Sequence, residues 1–323
     1  MIPAVVLLSM LLLQPADGAD ALIEKLRSDD AGVRRQGQLE LLQKGAAAVP
    51  PLIRALESAS PRPEQEIAAI VARLSSASWK ERNEATEALV RLGRTAVPAL
   101  EAKIAGADAE AGWRLRSAAA EIKEKAGQDE QSDELRAAAV CDVLAQTGDA
   151  RAVAPLLRLL AADPPSKRTA LKLRACQALG LLRPSMEAAQ AEEAADRVLQ
   201  VLERAPGPLE KGILIKTLGR LKVDGAVRPL AALLADRSEK NVHLKRSCIT
   251  ALAAIGRPRG VRALADALAA DEVYIRQGAA AALEPLAGGD FGYDPRATPE
   301  ENRDALAKFR AWGASTYGKA WDE

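Results

Sequence analysis

The sequence predicts an all-α fold, a right-handed α-solenoid of about six or seven stacked helical hairpins with a distinct C-terminal cap. The composition favours helices, because aromatic residues make up only 3% and the 48% hydrophobic content is mainly Ala, Leu and Val. Ala and Leu are strong helix formers, whereas sheets favour β-branched and aromatic residues. Two further observations predict the solenoid. A short sequence motif, which we call the mark, recurs along the chain, and an amphipathic pattern surrounds each mark.

The repeated mark is a glycine that follows an apolar run and precedes, by four or five residues, a Val that opens the next apolar run. Two marks depart from it, with Arg183 and Lys222 at the position of the glycine. The marks lie at Gly45, Gly93, Gly148, Arg183, Lys222 and Gly256, so their spacings are 48, 55, 35, 39 and 34 residues. The last three spacings fit repeats of paired helices, and the first two are too long for one pair.

Residues 133–162 show why such a unit must stack. Leu135, Ala139 and Val143 recur at helical spacing and form one apolar stripe. Gly148 can adopt the left-handed conformation that ends a helix, and Val153 opens a second stripe. One hairpin cannot bury both stripes by itself, whereas neighbouring hairpins can bury each other's stripes.

These patterns predict the organisation of the whole chain. We expect repeats with extra helices over residues 19–126, a polar joint over 126–132, and regular repeats over 133–287. The predicted hairpins cover residues 31–58, 79–105, 133–162, 167–204, 208–236 and 241–270. The extra helices are predicted over 64–74 and 110–125, and a last first-type helix over 272–286.

Residues 288–323 form the predicted cap, because a solenoid end exposes an apolar face that needs cover. Thr298 and Glu301 fit a capping box that opens a helix ending near Trp312. An aromatic recognition surface is the alternative interpretation of this segment. Its aromatic residues are Phe291, Tyr293, Phe309, Trp312, Tyr317 and Trp321.

A basic residue stands near the start of each predicted first helix. Stacked repeats would align these side chains in a column, which we interpret as a structural ladder; an anion-binding stripe is the alternative. The residues are Arg34, Arg82, Arg136, Arg174, Lys211, Arg246 and Arg276.

The N-terminus predicts a signal peptide over residues 1–18. Residues 4–13 form an apolar run that Ser9 alone interrupts, which is too short to span a bilayer. Ala16 and Gly18 are small residues suited to a cleavage site after Gly18. We therefore expect a periplasmic or secreted protein with no transmembrane segment in the mature chain.

Two sets of segments resemble known repeat proteins. Residues 271–283 (Asp-Glu-Val-Tyr-Ile-Arg through Ala-Ala-Ala-Ala-Leu) and 148–156 resemble HEAT-like repeats of the phycobilisome-lyase type. Residues 70–100, and the tail at 291–295 with 309–312, are similar to exported bacterial HEAT proteins. The resemblance implies an exported, capped solenoid and says little about function.

The sequence offers no recognisable catalytic or metal site. Deoxyhypusine hydroxylases, which use this repeat class, bind iron through His–Glu pairs, whereas His243 is the single histidine here and Leu244 follows it. Cys141, Cys176 and Cys248 lie within amphipathic helical runs, where cysteine acts as a small hydrophobe. We therefore expect no cofactor, no metal and no enzymatic activity.

The net charge of +1 and the interleaving of basic with acidic residues give no overall attraction to nucleic acid, so we expect none as a partner. The predicted function is a non-catalytic protein–protein interaction scaffold of the periplasm or cell envelope. A regulatory or accessory subunit of an envelope enzyme is the alternative, followed by a lyase-like or nucleic-acid-binding HEAT protein. In HEAT-like folds the second helices line the concave face, which makes the candidate contacts Arg54, Glu57, Glu101, Arg158, Arg197, Arg228, Arg262 and Asp266.

Overall fold

The structure is a computed structural model that describes residues 17–59, 64–74, 76, 78–92, 97–104, 106, 109–161 and 169–321. Within these ranges the regular secondary structure is helical and no strand occurs, which confirms the all-α prediction. The helices up to residue 147 are α1 (Asp17–Lys25), α2 (Ala31–Gln43), α3 (Val49–Ala59), α4 (Glu64–Arg73), α5 (Trp79–Leu92), α6 (Val97–Ile104) and α7 (Ala109–Thr147). The later helices are α8 (Val153–Ala161), α9 (Thr169–Leu181), α10 (Ala188–Glu203), α11 (Pro208–Leu221), α12 (Val227–Ala235), α13 (Val242–Ile255), α14 (Pro258–Ala267), α15 (Val273–Ala287) and α16 (Arg303–Tyr317).

The helices follow the predicted order of hairpins. The first helices are α2, α5, the C-terminal part of α7, α9, α11 and α13, and the second helices are α3, α6, α8, α10, α12 and α14. A last first-type helix, α15, starts one residue later than predicted. The chain therefore has the fold class of an α-solenoid built from helical hairpins.

Where the structure describes it, the repeated mark lies at the turn between the two helices of a hairpin; the mark at Gly93 lies outside the described residues. Gly45, Gly148 and Gly256 have φ angles of 55°, 66° and 68°, and Lys222 adopts the same left-handed conformation at 54°. A residue in this left-handed conformation ends the first helix. Glycine adopts the conformation without a steric clash because it has no Cβ. The Val that belongs to each of these marks is buried in or beside the second helix: Val49, Val153, Val227 and Val261.

Residues 148–157 and 172–321 form a compact unit, which we call the regular unit. Its first helices α11, α13 and α15 pack side by side, and so do its second helices α12 and α14. The backbones approach most closely at Gly219, where an added Cβ would lie 2.8 Å from the Cα of Ala251. The leucines between the two layers, among them Leu218, Leu252 and Leu264, are fully buried.

The other described residues form a second compact unit, the irregular unit. Helices α4, α5 and α6 pack with the N-terminal part of α7 around a core of their own, which contains Leu89, Leu100 and Leu115. The C-terminal part of α7 instead meets α1 and the turn after it, where Arg27 contacts Asp133 at 2.6 Å. Residues 64–119 are thus a separate cluster, which accounts for the two long spacings between marks.

The predicted polar joint at 126–132 is wrong, because its backbone is helical and belongs to the 39-residue helix α7. Its sequence, Ala-Gly-Gln-Asp-Glu-Gln-Ser, includes Ala, Gln and Glu, which are good helix formers. A helix with polar residues on all sides can connect two packed segments through solvent. Polarity alone therefore does not predict a loop. The extra helix predicted to end at residue 125 therefore continues into the next hairpin.

The cap is present, and its helix α16 begins later and ends later than predicted. The capping box forms, since the backbone N–H of Thr298 donates to Glu301 Oε2 at 2.7 Å and that of Glu301 donates to Thr298 Oγ1 at 3.3 Å. The amide of buried Asn302 then donates to the carbonyl of Asp294 at 2.7 Å and holds the loop before the helix starts. Side-chain bonds from Asn302 therefore delay the helix to Arg303.

Most of the predicted signal peptide, residues 1–16, lies outside the described residues. Asp17 and Gly18 form the first turn of α1, so cleavage after Gly18 stays a prediction. Among the helices that the structure describes, none combines the length and the apolar character needed to cross a membrane.

Candidate binding cleft

The eight predicted contact residues all lie on second helices, as the hairpin pattern requires. They divide into Arg54 and Glu57 on α3, Glu101 on α6, Arg158 on α8, Arg197 on α10, Arg228 on α12, and Arg262 with Asp266 on α14. Their role in binding a partner stays a prediction.

Several of these side chains contact other residues of the same chain. In the irregular unit Arg158 forms an ion pair with Glu57, and Arg54 lies 3.8 Å from Asp20. Exposed pairs of this kind contribute little to stability, about 0–1 kcal/mol, and they exchange readily for other partners. In the regular unit Arg197 donates weakly to Gln200 at 3.4 Å.

Arg262 and Asp266 come together at a cleft of about 470 Å³ in the regular unit. The second helices α12 and α14, the start of α15 and Trp321 form its walls. Ala231, Leu234 and Ile275 contribute apolar surface. The other charged residues of its lining are Arg237, Lys240, Lys245, Arg259, Asp271 and Glu272.

The C-terminal segment supplies one wall of this cleft. Arg262 Nη1 donates to the backbone carbonyl of Trp321 at 3.1 Å. The Trp321 ring is buried, stacks on Tyr317 with centroids 6.0 Å apart, and lies over Gly313. An added Cβ on Gly313 would lie 2.3 Å from that ring, so only glycine admits the tryptophan there. The aromatic cap therefore also forms one wall of the cleft, and an aromatic recognition surface stays a prediction.

An ion pair between a buried lysine and a partly exposed carboxylate lies at the cleft. Lys245 is only 6% exposed, and its Nζ lies 3.5 Å from Glu272 Oε1. A hydrogen bond from its own backbone N–H, together with the charge of Lys245, holds the pKa of the Glu272 carboxyl below its ordinary value. Because five cations and three carboxylates line the cleft, its net charge is positive, and it favours a partner group with an acidic end.

The basic column behaves as a structural ladder at three positions. Arg276 Nη1 donates to the carbonyls of Ala270 and Asp271, both at 2.8 Å, and its Nε donates to that of Pro295 at 3.0 Å. Arg34 and Arg82 make the same bonds to the loops before their helices, at 2.6 Å and 2.8 Å for the carbonyl six residues upstream. A guanidinium at this place satisfies carbonyls that follow the end of the preceding helix.

The prediction that Arg246 is the member of the basic column in α13 is wrong. The ladder residues Arg34, Arg82 and Arg276 are each the fourth residue of their helix, and the fourth residue of α13 is Lys245. Lys245 is buried, whereas the predicted Arg246 is exposed. Asn241 is the N-cap of α13, and its side chain accepts from the Leu244 N–H at 3.0 Å. Recognising this N-cap in the sequence would have shown where α13 begins, and hence that its fourth residue is Lys245.

The single histidine and the three cysteines differ in exposure. His243 is exposed, while Cys141, Cys176 and Cys248 are buried thiols that form no disulfide. Burial raises the pKa of Cys176 and of Cys248 to about 12, so both remain protonated thiols at neutral pH. In the ranges that the structure describes, no group of three metal-ligating side chains comes together.

Comparison with known proteins places the chain in a class. Residues 195–284 match the family model described as HEAT repeats, and with the all-helical fold this makes the chain a HEAT-repeat protein. Among solved structures, the chain is similar to human deoxyhypusine hydroxylase in complex with glycerol, at 23% identity and a TM-score of 0.35. That match covers 83% of this chain and 95% of the human one. No curated protein sequence matches the chain.

The expectation that the chain is not an enzyme is overturned by this comparison. The human protein of similar structure is an enzyme, so a HEAT-repeat fold by itself excludes no catalytic activity. At this identity and TM-score the likeness carries no argument about a reaction.

Proposed function

We propose that the protein is a protein-interaction scaffold that binds its partner through the second helices of the regular unit. The observation that carries this proposal is the cleft at Arg262 and Asp266, which two second helices and the C-terminal Trp321 build together. Its apolar walls and charged rim suit one anchoring side chain of a partner with an apolar body and an acidic end.

The surface composition of the cleft supports a protein partner. Alanine side chains from α12 and α14 leave room for an inserted group, and the arginines around them present fixed donor forks. Arg262 is held by the Trp321 carbonyl, so part of the rim is preorganised before a partner arrives.

The experiment compares two double charge reversals with the same net charge. Arg237→Glu with Asp266→Arg changes the cleft, and Arg303→Glu with Asp304→Arg changes exposed residues of α16 as the control. Each variant serves as bait in the envelope fraction of the native host. We expect the wild type and the control to capture one stoichiometric protein and the cleft variant to lose it.

Capture of the same protein by the cleft variant would falsify the proposed site. A purified partner then allows isothermal titration of all three baits, with a loss of about tenfold or more expected for the cleft variant. Circular dichroism of the baits distinguishes lost binding from lost folding.

We also propose that the scaffold works outside the cytoplasm, in the periplasm or cell envelope. The support is the N-terminal apolar run with small residues before Gly18. Fusion of residues 1–30 to a reporter that is active only after export tests this. An inactive reporter, with an intact N-terminus by mass spectrometry, contradicts export and leaves the cleft proposal untouched.

A further inference from the structure

A second depression lies between the first helices α11 and α13 of the regular unit. It has a volume of about 530 Å³, and we call it the basic groove. Its cations are Lys216 and Arg220 of α11, Lys222 at the end of α11, and Arg246 of α13. His243 lies beside them, and none of the described residues that line the groove is acidic. Lys216, Arg220 and Lys222 are already close in the sequence, and the fold adds Arg246 and His243 to them.

The four cations of the basic groove have their donors available. All four are exposed. In the part of the chain that the structure describes, none of them takes part in an ion pair or donates a side-chain hydrogen bond. Four like charges brought together repel one another, so the groove stabilises a ligand that carries several negative charges.

The aliphatic stems of Arg220 and Arg246 lie next to glycines of the flanking first helices. An added Cβ on Gly180 of α9 would lie 3.6 Å from both Cβ and Cδ of Arg220. On the other side, an added Cβ on Gly278 of α15 would lie 4.0 Å from Cγ of Arg246. Each arginine stem thus passes beside a glycine of a neighbouring helix, where the missing Cβ leaves it room.

The floor of the basic groove is apolar. Buried Gly219 and Ala251 form it with exposed Ala254 beside them, and α11 and α13 are in near backbone contact at Gly219. The hydroxyls of Ser247 and Thr250 donate to backbone carbonyls of their own helix, at 3.0 Å and 3.1 Å. The groove therefore offers charged donors at its rim and small apolar residues at its base.

This combination distinguishes between classes of anionic ligand. Single-stranded nucleic acid is bound largely by stacking of bases on aromatic side chains, and the described lining contains no Phe, Tyr or Trp. A peptide with carboxylates and small apolar side chains matches both parts of the groove, because carboxylates accept from arginine forks and alanine-sized groups fit the floor.

We propose that the basic groove binds an acidic peptide segment of a partner protein. Carboxylates of the segment contact Arg220 and Arg246, with Lys216 and Lys222 beside them, and its small apolar side chains pack on Ala254. This goes beyond the proposed function, since the groove belongs to first helices and the cleft to second helices. One partner can occupy both places, or two partners one each.

The test uses a fluorescein-labelled peptide of alternating glutamate and alanine, measured by fluorescence anisotropy on the full chain. We expect the triple variant Lys216→Glu, Arg220→Glu, Arg246→Glu to weaken binding by about tenfold or more. The control is a triple variant of the same charge change at exposed positions of α16, Arg303→Glu, Lys308→Glu, Arg310→Glu, and it should stay within about twofold. Equal weakening by both variants overturns the proposal, because the peptide then senses only net charge.

A neutral variant tests the floor. Ala254→Leu narrows the groove without changing charge, and we expect it to weaken peptide binding about threefold or more while a polyglutamate of the same length is affected less. Thermal unfolding confirms that each variant is folded. Absence of binding by the wild type overturns the proposal, and so does tighter binding of a single-stranded oligonucleotide of equal charge. Neither result bears on Asp266 and the cleft.

Discussion

Chain order and spatial order coincide in the regular unit and diverge in the irregular unit. In the regular unit α11, α13 and α15 are neighbours, and the marks at 183, 222 and 256 are 39 and 34 residues apart. In the irregular unit residues 64–119 form their own core, and α1 meets the far end of α7. The difference shows that an even spacing of marks predicts which helices pack together, whereas a long spacing signals a cluster with a separate core.

The largest expected effect compares two basic residues of the predicted column, Arg276 in the regular unit and Arg136 in the irregular unit, which have different partners. Arg276→Met removes charged donors from three carbonyls, so we expect a loss of about 3 kcal/mol in the free energy of unfolding. Arg136 stands within the continuous helix α7 and pairs instead with Glu24 and Asp133, both at 3.2 Å. For Arg136→Met we expect about 1 kcal/mol, since both carboxylates are partly exposed.

Urea unfolding of both variants at low and high salt checks this difference. The cost of Arg276→Met should be nearly independent of salt, because its acceptors are neutral carbonyls. The cost of Arg136→Met should shrink as salt screens the ion pairs. Equal salt dependence of the two variants would contradict the distinction between a carbonyl ladder and an ion-pair cluster.

The next effect compares one substitution in the two units. Gly219→Ala places a Cβ 2.8 Å from the Ala251 backbone, so α11 and α13 must separate, and we expect about 2 kcal/mol of destabilisation. Gly112→Ala in α7 meets only the mobile end of Arg116 at 3.4 Å. There we expect a gain of up to about 1 kcal/mol from helix propensity.

Thermal unfolding of the two variants gives the sign directly. No destabilisation by Gly219→Ala would show that the contact between α11 and α13 is looser than the structure has it. Destabilisation by Gly112→Ala would show that α7 is packed more tightly at this position than the structure has it.

A smaller effect, with the opposite sign, is expected at the mark that lacks glycine. Lys222 has φ of 54° at the end of α11, a conformation that costs a residue with a Cβ about 1 kcal/mol. Lys222→Gly should therefore stabilise the regular unit by about 0.5–1 kcal/mol. The melting temperature measures this gain. The control is Lys216→Gly in the middle of α11, whose melting temperature should be lower than that of the wild type.

The smallest expected effect is an acid sensitivity of the regular unit. Hydrogen bonds lower the pKa of Asp149 (from Arg151), Asp236 (from Ser238), Glu272 (from its own backbone) and Glu301 (from Thr298). A carboxyl with a folded pKa below its unfolded value stabilises the fold above the unfolded pKa, near 4, and this contribution disappears as pH falls through the folded pKa. We expect a modest loss of stability below about pH 4.

Fluorescence of Trp312 and Trp321, in a variant with Trp79 and Trp113 replaced by Phe, reports this loss in the regular unit. Glu272→Gln with Glu301→Gln should flatten the acid limb of the stability curve. An unchanged limb would mean that these two carboxyls do not contribute to it.

The sequence by itself determined the class of fold and the limits of most helices. Helical spacing of Leu and Val, the marks with positive φ and the small aromatic content are local signals, and they located the turns at Gly45, Gly148, Lys222 and Gly256. The capping box of Thr298 and Glu301 was equally readable, because it joins residues three apart.

Only the tertiary structure decided where charge collects and what the ends of the chain build. Lys216 and Arg220 are one helical turn apart on α11, whereas acidic residues separate them from Arg246 in the sequence; the three meet because α11 and α13 pack at Gly219. Trp321 becomes a wall of the cleft because Gly313 admits its ring and its carbonyl accepts from Arg262. Such sites depend on contacts between residues 30 to 60 positions apart, which no local pattern of a few helical turns encodes.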